Sequence, residues 1–133
     1  PDVAGAIGSQ LGEEAMPEAA YRAAMDEHRS AMRQIYGQVF EKYRLDAIVF
    51  PTTPLPARPI GEDETVTLNG EQVPTFPTYI RNTDLGSNVG APGISLPCPV
   101  SSGLPVGIEF DAMPGKDRSL LALARAAEKA MAQ

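Results

Sequence analysis

Ala47-Ile48-Val49-Phe50-Pro51 is a short, continuous apolar run stopped by a proline. Because it lacks polar alternation, both its faces call for cover, and it reads as a buried strand in a sheet covered on both sides. Upstream, a helical zone runs from near the first residue to Tyr43. In it Tyr21, Met25, His28, Met32, Ile35 and Val39 recur at steps of four and three. Pro17 suits a first turn, so the spacing predicts an amphipathic helix of about seven turns. Downstream, Pro51, Pro54, Pro56 and Pro59 forbid regular structure and make Thr52 to Ile60 an extended loop. Thr65–Leu68 and Glu71–Val73 flank Asn69-Gly70, which predicts a β-hairpin with a type I′ turn. Gly93–Leu96 and Pro105–Phe110 read as two more strands. Met113-Pro114-Gly115 breaks the chain, and Asp117 is the expected N-cap of a last helix whose Leu120, Leu121, Ala124, Ala127 and Met131 share a face.

The fold class is therefore α/β, with the three strands neighbouring one another in a sheet between the two helices. That order is incomplete as a domain, because three short strands leave edges unpaired. Either the chain oligomerises through its sheet or it is one part of a larger domain, and the second reading is favoured.

Composition narrows the chemistry. The 133 residues carry 17 acidic and 11 basic side chains, a net charge of -6, which argues against nucleic acid or an anionic membrane surface as partner. Apolar residues make up 43%, enough for a core. The lone cysteine, Cys98, cannot form an internal disulfide, and no apolar run is long enough to span a membrane, so a cytoplasmic location is expected.

Cys98 reads as a buried, inert thiol, and His28, on the apolar stripe, as a half-buried structural histidine. A single histidine and a single cysteine disfavour a metal site. No G-x-S-x-G, S-x-x-K or phosphate-binding glycine loop is present, and Ser101-Ser102 reads as a solvated turn. The segment Arg81–Gly93 holds three glycines among short polar side chains. It fits a turn as well as a ligand-lining loop.

Four blocks carry a resemblance: Asp46-Ala-Ile-Val-Phe-Pro-Thr-Thr-Pro54, Asn88-Val-Gly-Ala-Pro-Gly-Ile-Ser-Leu-Pro97, Gly103-Leu-Pro-Val-Gly-Ile-Glu-Phe-Asp111, and the helix from Asp117 through Glu128. In order and spacing they resemble the C-terminal part of amidase signature enzymes, from Tyr21 to about Met131. Arg81-Asn-Thr-Asp84, Gly86-Ser-Asn88 and Gly107-Ile-Glu-Phe-Asp111 are most similar to the mandelamide and indoleacetamide hydrolase branch, although the family more often has Gln where Glu109 stands.

The resemblance implies a segment of the amidase fold, with a mixed β-sheet covered by helices. It implies hydrolysis of a carboxylic amide to acid and ammonia by a Ser–cis-Ser–Lys triad, without metal or cofactor. None of the triad has a counterpart here, so the chain is expected to be a C-terminal segment, inactive alone, whose partners are an amide substrate and the N-terminal half of the same enzyme. Self-association into a homo-oligomer is expected of the isolated chain. Thr52, Thr53, Asn82, Thr83, Ser87 and Asn88 match segments near the family's substrate cavity. The Gly103–Phe110 strand and the last helix match scaffold. The competing expectation is a stand-alone interaction or small-molecule-binding domain that keeps the fold without the chemistry.

Overall fold

The three expected strands form one sheet in a computed structural model that describes residues 3–13, 15–98 and 103–132. Strands β1 (Ile48–Pro51), β4 (Gly93–Cys98) and β5 (Val106–Asp111) are ordered β1-β5-β4, and both pairings are antiparallel. Between β1 and β4 in sequence lie the hairpin β2 (Thr65–Leu68) and β3 (Glu71–Pro74) and two short helices, α4 (Thr75–Ile80) and α5 (Asp84–Val89). The hairpin turn has φ of 53° at Asn69 and 87° at Gly70, the positive pair that a type I′ turn requires. The turn read at Ser101-Ser102 lies outside the described residues.

Register separates the sheet into two chemically different faces. Val49, Ile94 and Phe110 stand in one row, and Ile108 and Leu96 in the next, all on one side. Against this side packs α6 (Asp117–Met131), giving a core of Leu96, Phe110, Ala112, Leu120 and Ala124. The opposite side carries Ile48, Phe50, Gly93, Ser95, Glu109 and Asp111. Here α3 (Arg29–Tyr43) and α5 provide the cover, through a second cluster of Tyr36, Phe40 and Val89 that also takes in Ile48. The sheet is thus sandwiched by helices, but β1 departs from the expectation of full cover. As an edge strand it leaves Val49 49% exposed.

The long helix is continuous from Glu18 to Tyr43 but not uniform. A π-helical stretch, Ala23–His28, joins α2 (Glu18–Arg22) to α3, and a separate short helix α1 (Val3–Gly8) precedes them. Widening the turn to i→i+5 shifts the phase of everything after it, so one stripe of constant period cannot stay buried. The buried residues are Tyr36 and Phe40, one position away from the expected Ile35 and Val39. Ile35 is 61% exposed, and His28 lies exposed in the π turn instead of half-buried.

Three smaller expectations also change. Lys116, not Asp117, occupies the N-cap of α6, and Asp117 sits in the first turn, where its charge still favours the helix dipole. Leu121 points outward, and Leu123 joins the core in its place. Cys98 is half-buried.

Candidate functional site

The polar face of the sheet gathers most of the chemistry in the chain. Thr52 continues β1, its N–H donating to the Gly107 carbonyl at 2.9 Å, so its side chain falls on the same side as Ser95 and Glu109. The hydroxyls of Thr52 and Ser95 are hydrogen-bonded to each other, and Thr52 Oγ1 donates to Glu109 Oε2 at 3.1 Å. A hydroxyl has one proton. Since Thr52 gives its proton to Glu109, the Ser95 hydroxyl donates to Thr52, and the three form a directed Ser95–Thr52–Glu109 relay. Beside it, Asn82 Nδ2 donates to the Pro51 carbonyl at 2.8 Å and ties the chain before α5 to the end of β1.

Asp111 lies two residues along β5 from Glu109, on the same face, and is 6% exposed. Its carboxyl is pushed up to about 6, first by burial and then by the charge of Glu109. Burial, and then Asp111, hold the Tyr36 phenol at about 12. The ion pairs among the described residues, Arg22–Glu18 and Arg58–Glu62, lie elsewhere, so no cationic side chain neutralises Glu109 and Asp111.

Three glycines make this crowding possible. A β-carbon on Gly93 would stand 2.7 Å from Asp111 Oδ1 and 2.8 Å from Glu109 Oε1. One on Gly107 would meet Ser95 Oγ at 2.5 Å and Thr52 Oγ1 at 2.6 Å, and one on Gly86 would overlap Asp111 Oδ2. None of the three has positive φ; they are required for close approach.

Helix α5 closes the site. Its carbonyl end is held by α3, with Arg29 Nε donating to the Asn88 carbonyl and Arg33 Nε to the Val89 carbonyl, each at 2.8 Å. Gly90, with φ 72°, ends the helix. Between α5 and the sheet remains a cavity of about 110 Å³ lined by Thr83, Gly86, Ser87, Ala91, Gly93, Glu109 and Asp111. Along β1 and β5 runs a larger apolar groove of about 460 Å³ whose walls include Val49, Pro51, Thr53, Leu55 and Ile108. Gly107 borders both the groove and the hydroxyl pair.

Of the six residues expected at a site, the structure brings Thr52, Asn82, Thr83 and Ser87 around the polar cluster. Thr53 turns into the apolar groove, with Oγ1 donating to the Leu55 carbonyl at 2.7 Å. Asn88 turns away, bonding back to Asp84 within α5. Ser95 from β4 and Glu109 and Asp111 from β5 complete the cluster, and of these Glu109 lies in the Gly103–Phe110 strand expected to be scaffold. Their signal was present as alternate polar residues in strands that are otherwise apolar.

Residues 6–121 match the sequence model of the family described as Amidase. The chain belongs to the amidase family. Over 132 residues it is 45% identical to an indoleacetamide hydrolase of Agrobacterium vitis, covering 98% of this chain and 28% of that protein. It is 41% identical over 122 residues to a mandelamide hydrolase of Pseudomonas putida, covering 90% of this chain and 23% of that one. A crystal structure of an amidase superposes with a TM-score of 0.82 at 31% identity, over 96% of this chain and 28% of that one. The chain thus spans about 28% of the length of that indoleacetamide hydrolase and of that amidase, and its fold is a portion of the α/β amidase fold.

Proposed function

We propose that this chain is the C-terminal segment of an amidase that hydrolyses an arylacetamide-type amide to acid and ammonia. Its Ser–cis-Ser–Lys triad lies outside these 133 residues. The observation that carries the reading is the apolar groove of about 460 Å³ along β1 and β5, on the α6 side of the sheet. The aryl part of such an amide is flat and apolar, and this groove offers a surface for it. The likeness to indoleacetamide and mandelamide hydrolases supports the same substrate class.

In the proposed reaction a neutral lysine relays a proton through the bridging serine from the nucleophile, and backbone N–H groups stabilise the oxyanion. This segment contributes walls. Thr53 and the groove take the aryl part, and the Ser95–Thr52–Glu109 relay is a polar wall on the opposite side of the sheet. The isolated chain then hydrolyses neither indoleacetamide nor mandelamide. Ammonia release from either amide by the purified chain, unaffected by Ser95→Ala or Ser87→Ala, would contradict the assignment of chemistry to residues outside it.

A further inference from the structure

The geometry points to a binding site for ammonium in the cavity between α5 and the polar face of the sheet, held by Asp111 and Glu109 with the hydroxyl oxygens of Thr83 and Ser87. The lining is one-sided in its hydrogen bonding. Ser87 Oγ spends its proton on the Thr83 carbonyl at 3.0 Å, and Thr83 Oγ1 spends its own on the Ile80 carbonyl at 3.1 Å. The two carboxylates accept only. With both carboxylates ionised, above the Asp111 value of about 6, every polar side chain on the cavity wall therefore offers lone pairs and no proton.

Asp111 is 6% exposed, lines this cavity and accepts no hydrogen bond from a side chain among the described residues. One Asp111 oxygen and one Glu109 oxygen both lie within 2.8 Å of the point where a Gly93 β-carbon would stand, so the two carboxylates crowd the same glycine and lie close to each other. Two carboxylates this close, with no cationic side chain beside them among the described residues, are relieved by a proton at low pH, as the raised Asp111 value reflects, and by a cation once both are ionised. Ammonium donates four hydrogen bonds, carries one charge and has the size of a water molecule, for which a cavity of about 110 Å³ is ample. A divalent metal fits poorly. Among the described residues no three His, Cys, Asp or Glu are grouped to hold one.

Amide hydrolysis releases ammonia, which is protonated at neutral pH. That source rests on the reaction proposed above, whereas the site itself does not.

Calorimetric titration of the 133-residue chain with ammonium chloride tests the site. The titration runs at about pH 8, above the Asp111 value of about 6, with choline chloride holding ionic strength constant. One saturable binding event is expected, stronger for ammonium than for potassium. Asp111→Asn and Glu109→Gln should each weaken it about tenfold or more. No saturable heat in the unaltered chain, or tighter binding of potassium, overturns the site. If Asp111→Asn does not fold, Glu109→Gln and the potassium comparison still decide. A flat titration beside an active hybrid enzyme (described below) removes only the ammonium site, and a saturable one beside an inactive hybrid removes only the reaction.

Discussion

Gly86 stands directly against the carboxylate of Asp111, and a β-carbon on residue 86 would clash with Oδ2. Gly86 lies inside α5 with an ordinary helical backbone. By propensity alone, Gly86→Ala would stabilise that helix by about 1 kcal/mol. The contact reverses the sign: overpacking against β5 should cost about 1–3 kcal/mol. Urea unfolding of the variant measures it, and a stabilised variant would contradict the seating of α5 on the sheet.

Asp111 predicts a pH dependence. Its folded value, about 6, lies above the ordinary 3.8, so between about pH 4 and pH 6 the folded chain holds more protons than the unfolded one. The contribution of this group to stability must therefore fall as pH rises through that window. Stability of the native chain minus that of Asp111→Asn, followed by chemical unfolding from about pH 4 to about pH 7, should decrease. A difference that is flat or increasing would place Asp111 in water.

The face of α6 separates two adjacent leucines. Leu120 is 3% exposed in the core and Leu121 is 58% exposed. Leu120→Ala should cost about 2–5 kcal/mol and Leu121→Ala under about 0.5. Equal losses on urea unfolding would mean that α6 is rotated about its axis.

What the residues disclosed on their own follows their periodicity. The β1, β4 and β5 runs, the Asn69-Gly70 hairpin and the last helix were legible because each has a local pattern strong enough to act alone. Helix α5 was not. Asp84–Val89 is six residues with a glycine and short polar side chains, and contacts from Arg29 and Arg33, more than fifty residues upstream, hold its end. The π turn at Ala23–His28 likewise left no mark in the spacing, and in α3 after it the buried residues are Tyr36 and Phe40 instead of Ile35 and Val39. At the site, Thr52, Asn82, Thr83 and Ser87 were legible by resemblance. Ser95, Glu109 and Asp111 were hidden inside apolar strands whose two faces only register could tell apart.

Association follows from what the helices leave bare. An apolar groove of about 270 Å³, lined by Met32, Ile35, Tyr36, Val39, Ile48 and Leu85, lies open beside the exposed edge strand β1. Surface of this kind favours burial at roughly 25 cal/mol per Å². Light scattering of the isolated chain should therefore show a dimer or larger assembly, and Ile35→Glu with Val49→Lys should shift it toward monomer. A monomeric native chain that binds no apolar dye would favour a self-sufficient binding domain.

The most direct measurement is an exchange of segments. This chain replaces the 132 matching residues of the Agrobacterium vitis indoleacetamide hydrolase, to which it is 45% identical. The hybrid is assayed for ammonia release from indoleacetamide beside the isolated chain. An active hybrid with an inactive isolated chain is the result expected of a C-terminal wall that serves a triad located elsewhere. A hybrid that folds but leaves indoleacetamide intact, or an isolated chain that hydrolyses it, would contradict that account.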